Sequence, residues 1–231
     1  MSHPAALRSA SQRLLRTVDL LPDADYGAPS LLPGWTRSHV VAHLALNAEA
    51  LAGCLRGAAA GHEVPMYESD EARDADIVVL AGRPPSHVRD RLFASTTELA
   101  AAIDALPDEA LDVVIARTPG SDRWFEAGEV AAMREGEVEI HHVDLASSFT
   151  PADWPDDFCG RLITRMAGRP QTTPFLVHAS NLDRTWQCGG EDVPGPTVSG
   201  PAAALGWWLT GRGSGDGLTV DDGQLPQIEG W

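Results

Sequence analysis

The chain has 231 residues, 43% hydrophobic and 22% charged, and its 22 glycines and 17 prolines follow no repeat. That balance excludes fibrous and wholly disordered classes and leaves material for one large domain or two modest ones. A formal net charge of −16, from 33 acidic against 17 basic residues, repels phosphate backbones and anionic headgroups, so neither nucleic acid nor a membrane surface is an expected partner.

Residues 5–21 place Leu7, Leu14, Leu15, Val18 and Leu21 at helical spacing, which predicts a first amphipathic helix. The segment also lacks an uninterrupted apolar run and a cleavage site, and no stretch approaches a membrane span, so the expected location is cytoplasmic. Pro22–Gly34 reads as a connection, and Thr36 as the N-cap of a helix from Arg37 to Ala60 that closes near Gly61. A short helix is expected over Asp70–Leu80. A longer one over Pro85–Leu106 carries Val88, Leu92, Leu99 and Ile103 on one face. Leu111–Phe125 suits an extended excursion turning at Pro119-Gly120, and a fourth principal helix follows from Glu126 to about Phe149. Four principal helices suggest an up-and-down bundle.

The texture changes after Trp154. A helix over Asp156–Gly168 precedes PFLVHASNLDRTWQCGG, whose alternation reads as a hairpin. Strand, helix, glycine loop and a last strand then follow. The expected architecture is α+β: a helical bundle over residues 1–152 and a small C-terminal α/β domain over 153–231, linked near Pro151–Pro155. Cys54, Cys159 and Cys188 are scattered and form no CxxC pair, so neither a disulfide framework nor a zinc ribbon is suggested.

Two helical stripes carry chemistry. His39, His43 and Asn47 recur at intervals of four on the otherwise apolar second helix, so they share one face. In MREGEVEIHHVDL, Glu137 and His141 are likewise four apart. A carboxylate and an imidazole turned into a bundle core are costly to bury unpaired, and a cation would satisfy both. Two histidines and one carboxylate leave a coordination position open, as catalytic sites do, whereas a fourth ligand such as His39 would close the site. His142 is a further candidate ligand, and Asp144 could hold a ligand's second nitrogen. The spacing is also compatible with an exposed Glu137–His141 pair beside Glu135 and Glu139, and the donor set suits zinc, iron, manganese or nickel alike. Asn47 and Arg134 lie near these faces, Met66 and Tyr67 sit in a loop that could cover them, and Trp207 and Trp208 suit packing. Ser38 lacks the elbow motif of a nucleophile.

LLPGWTRSHVVAHLALNAEAL, PMYESDEARDADI, MREGEVEIHHVDL and the late GRGSGDG together resemble, in order and through nearly the whole chain, the mycothiol-dependent maleylpyruvate isomerases. The resemblance implies a DinB-like four-helix bundle with a smaller C-terminal domain. It implies zinc held by His43, Glu137 and His141, with His43 chosen over His39 and His142 left out, and a catalytic Arg212. It also implies mycothiol as thiol cofactor and a small-molecule substrate. The implied reaction is cis–trans isomerisation of maleylpyruvate to fumarylpyruvate, in which a metal-activated thiolate adds to the double bond, the new single bond rotates and the thiol leaves. Arg212 would offer a planar fork to a substrate carboxylate and to developing enolate charge. The ligands alone are equally consistent with a mycothiol S-transferase acting on another electrophile, and a non-catalytic metal-binding regulator is the alternative of a different class.

Overall fold

The computed structural model describes residues 3–189 and 195–228. It divides into two compact units, Met1–Ser148 and Phe149–Trp231.

The first unit is built on α1 (His3–Leu20), α2 (Arg37–Ala59), α3 (Asp70–Ala81), α4 (Pro85–Asp104) and α5 (Val130–Asp144), with a two-stranded excursion, β1 (Val114–Ala116) and β2 (Trp124–Glu126). The helix α2 packs against α4 and α3, while α1 packs against α5. Apolar positions at helical spacing close the interior: Leu14 and Val18 of α1, Val40 and Leu44 of α2, Val88 and Leu92 of α4, and Val138 of α5 are all buried in one cluster. A second cluster gathers Leu51 and Leu55 of α2, Leu99 of α4, and Ile115 and Phe125 of the excursion.

Local chemistry explains where the helices start and stop. Thr36, extended at φ −87°, precedes α2. His39 turns its Nδ1 back to the Thr36 backbone N–H at 3.3 Å and hydroxyl at 2.7 Å, so this imidazole serves the helix start. Ser69 accepts from the Ala72 N–H at 3.0 Å and caps α3. The excursion turns at Gly120, whose φ of +73° suits a residue without Cβ.

The fourth principal helix is shorter than its pattern predicts. Residues 127–129 form a 3₁₀ turn instead, because Ala127 and Gly128 donate to the carbonyls of Val113 and Leu111 as the β1–β2 pairing continues past its last rung. At the other end Ala146 takes φ 52°, which breaks the α-helical path five residues after His141.

In the second unit a 3₁₀ turn at Pro151–Asp153 leads through Trp154 into α6 (Asp156–Ala167). Then come β3 (Phe175–Ala179), β4 (Arg184–Cys188), β5 (Thr197–Gly200), α7 (Ala202–Leu209) and β6 (Thr219–Val220). The sheet order is β4-β3-β5-β6, with β3 parallel to β5 and the other pairs antiparallel. Alternation along β3 buries Phe175, Val177 and Ala179. Trp207 lies 5.9 Å from Trp154 and Trp208 lies 5.6 Å from Phe175, ring to ring, so both tryptophans pack within this unit. The expected hairpin is β3–β4; Gly190, the last residue of that expected stretch, lies outside the described residues. The fold class is α+β. All three cysteines are buried.

Candidate metal centre

Arg37, on the first turn of α2, reaches the far end of α5. Its Nε donates to the Leu145 carbonyl at 2.8 Å and its Nη2 to the Ala146 carbonyl at 2.7 Å. These are the carbonyls that a helix C-terminus leaves without intrahelical donors, and the cation also suits the negative end of the helix dipole. The Leu31 N–H adds a bond to the Asp144 carbonyl at 2.9 Å. The start of α2 is thereby pinned to the end of α5, and the two polar stripes face each other.

Between them His43, Glu137 and His141 converge, each offering one ligand atom within 4.8 Å of the others. The Nε2 of His43 is 2.9 Å from Glu137 Oε2, and the Nε2 of His141 is 3.4 Å from the same oxygen. Both imidazoles are buried, while the Glu137 side chain keeps 22% of its surface exposed, so the cluster opens on one side. This excludes the alternative of an exposed Glu137–His141 pair. The neighbours Glu135 and Glu139 are themselves buried; Glu139 pairs with Arg13, and His3 approaches Glu135 at 3.6 Å.

Asp144 is fully buried and its Oδ2 lies 2.8 Å from the Nδ1 of His141. It fixes the ring so that Nε2 faces the cluster, the role a carboxylate plays behind a metal-ligating histidine. Burial pushes the His43 pKa down to about 4, against the raising effect of Glu137. Burial alone would raise Glu137, but its hydrogen bonds with His141 and His43 outweigh that and hold it well below the usual carboxylate range. Burial likewise opposes the charge on His141, and the bonds to Asp144 and Glu137 win, raising its pKa. A neutral imidazole and a firmly ionised carboxylate are ready donors, and the positive charge that His141 tends to carry stands where a cation would. The three residues could hold a divalent ion.

The remaining candidates fall elsewhere. His39 is taken up in capping α2, and His142 points its Nε2 at Thr17 Oγ1, 2.7 Å away, on the α1 side. Ser38 donates to the Ala81 carbonyl at 2.7 Å, a structural bond. One turn from the cluster, Arg134 Nη1 donates to Asn47 Oδ1 at 2.6 Å, and Asn47 Nδ2 lies 3.5 Å from the Tyr67 hydroxyl. Met66 and Tyr67 hang from the excursion through backbone bonds to Ala116 and Arg117, and Met66 is buried in the core. Arg212 belongs to the second unit, after α7, with its guanidinium 5.9 Å from the centroid of the Trp207 ring.

Arg73 was not singled out by sequence reasoning. Its Nη2 lies 3.3 Å from His43 Nδ1, and its guanidinium rests 5.8 Å from the centroid of the Tyr67 ring. The signal was present: Arg73, Ile77 and Leu80 recur at four and three, and the last two are the buried residues of α3. An arginine heading that stripe points toward α2.

Comparison with known proteins gives two consecutive family matches. Residues 7–146 match the mycothiol maleylpyruvate isomerase N-terminal domain, and residues 150–230 match the C-terminal domain of the same family. Two solved structures are similar to the chain: a mycothiol-dependent maleylpyruvate isomerase and a histidine-to-alanine mutant of that enzyme, with TM-scores of 0.87 and 0.88. Each is 29% identical, with 99% of this chain and 95% of the other covered. A search of curated proteins gives no match. The chain therefore belongs to the mycothiol maleylpyruvate isomerase family.

Proposed function

We propose that the chain is a metal- and mycothiol-dependent isomerase that converts maleylpyruvate to fumarylpyruvate in the cytoplasm. The observation that carries this reading is the buried His43–Glu137–His141 cluster, braced by Asp144, inside a chain that matches the isomerase family over both units. Small molecules, substrate and mycothiol, are its partners; a net charge of −16 speaks against nucleic acid.

The donor set fits a divalent ion, and zinc is the one we assign: two imidazoles and one carboxylate are catalytic zinc ligands. Held by His43, Glu137 and His141, such an ion would lower the pKa of a thiol brought to it. When bound, mycothiol would supply a thiolate nucleophile for reversible addition to the substrate's C=C bond, which becomes a single bond free to rotate and is restored when the thiolate leaves. The chain's own residues do the rest. His43 stays neutral and Glu137 ionised at physiological pH, as ligation requires, and Asp144 keeps the proton of His141 on Nδ1. Arg73, whose Nη1 donates to Asp74 at 2.6 Å, holds its guanidinium at the edge of the cluster, where it can also meet a carboxylate of a keto acid. Arg212 offers its guanidinium to a substrate carboxylate and to enolate charge as it develops.

The test is metal analysis of the purified protein followed by the absorbance of maleylpyruvate with and without mycothiol. Turnover only with the thiol supports the isomerase. A thiol adduct on other electrophiles without maleylpyruvate turnover points to an S-transferase instead. Protein that holds no divalent ion, and whose His43→Ala variant keeps every activity, sinks the assignment.

A further inference from the structure

On the side of α5 that meets α1 and α4, these helices enclose a cavity of about 250 Å³ whose lining includes Arg134, one turn before Glu137. Its walls are mostly apolar, with Leu7 and Leu15 of α1 and Leu99 and Ile103 of α4, and Ser11 and Gln12 of α1 beside them. The exposed Arg8 and Thr97 also line it, so it opens at the surface. Arg8 is engaged by Asp104 at 3.1 Å.

The polar groups inside are unusual. Arg134 lines the cavity with only 1% of its surface exposed. Its sole hydrogen-bond partner among the described residues is the neutral Asn47 amide, and Glu137, the carboxylate whose charge acts on it, forms no ion pair with it among those residues. Its Nη2 is buried without a partner, and so is the hydroxyl of Thr96, which lines the same cavity. Buried charges are otherwise paired or neutralised, because desolvating them unpaired is expensive. Burial already drags the Arg134 pKa down to about 10. Two orphaned donors at an apolar cavity match a carboxylate attached to a hydrocarbon body. With Arg8 already matched by Asp104, the site has one further cation to offer, which suits a single carboxylate.

We propose that this cavity is a second small-molecule site, which takes an organic monocarboxylate with its charged end on Arg134 and Thr96 and its apolar body against Leu7, Leu15, Leu99 and Ile103. The proposal is independent of the chemistry at the metal cluster, and the same experiment separates the two.

Hexanoate and its neutral isostere hexanamide serve as probes for calorimetric titration and thermal shift on the full-length protein, with and without divalent metal. Hexanoate should bind and raise the melting temperature under both conditions, and hexanamide should bind about tenfold or more weakly. Arg134→Gln should weaken hexanoate by about tenfold or more, and Leu99→Trp, which fills the cavity, should abolish binding while leaving metal content unchanged. Thr96→Val, at a more accessible wall position, gives a milder variant with a smaller loss in the same direction. No hexanoate binding, equal affinity for both probes, or affinity unchanged in these variants overturns the proposal. Binding that survives Leu99→Trp but disappears with the metal assigns the carboxylate to the ion and overturns it too.

Discussion

Asp144 touches no ion, yet it decides which nitrogen of His141 faces the cluster, through a bond of 2.8 Å. Asp144→Ala should leave all three ligands present and weaken metal binding by about 10–100-fold, read by titration against a chromophoric chelator. Unchanged affinity would mean that the helix alone orients the ring. Protonation gives a second handle. The folded pKa of His43 lies at about 4, below its ordinary 6.5, so between these values only the unfolded chain takes the proton. The stability it contributes is present above 6.5 and is lost as pH falls through that window, by about 3 kcal/mol in full. His141 has the opposite sign: its pKa is raised, so its contribution is present below 6.5 and is lost as pH rises through the folded value. In metal-free protein these two histidines together favour a stability maximum near pH 6.5. Chemical denaturation in chelator across pH 4–8 reads the slopes, and His43→Gln should flatten the acid side. An equally steep acid limb in that variant would place the titration elsewhere.

The elements differ in how much of them could be read from the residues. The residues that start these helices are local to them, Thr36 and Ser69 just before α2 and α3 and Pro85 at the first position of α4, so the starts of all three were legible nearly to the residue. The ends of α5 were not, because the β1–β2 pairing and the positive φ of Ala146 set them, and neither shows in a helical periodicity. The cluster was legible only as two separate stripes. Spacing reports on one helix at a time, whereas the bonds that join these two run from Arg37 to carbonyls 108 and 109 positions away. The family resemblance supplied that pairing, and it assigned no role to Arg73 or Arg134. A modest test belongs to α3, which carries Arg73 to His43. Ser69→Ala removes the cap and should cost about 1 kcal/mol in thermal or denaturant unfolding. No loss would show that the packing of Ile77 and Leu80 alone holds the helix start.

At the scale of the whole molecule, each unit closes a core of its own, and the three metal-binding candidates lie in the first. A fragment of residues 1–148 should therefore fold, show helical circular dichroism and bind one divalent ion, while lacking the isomerase activity that we assign in part to Arg212. A fragment that stays unfolded would make the second unit part of the first one's stability, not only of its chemistry.

The burial of the cysteines has a bearing on redox traffic. An enzyme that borrows its nucleophile from a diffusible thiol must keep its own sulfurs out of the exchange. Cys54 and Cys188 are buried, with thiol pKa values pushed up by that burial to about 11, so only about one molecule in 10⁴ carries either as thiolate at neutral pH. Cys159 is equally enclosed. Mixed disulfides with an oxidised cofactor pool thus have no ready attachment point, and the protein comes through an oxidative episode unmodified, ready to act again once the reduced thiol is restored.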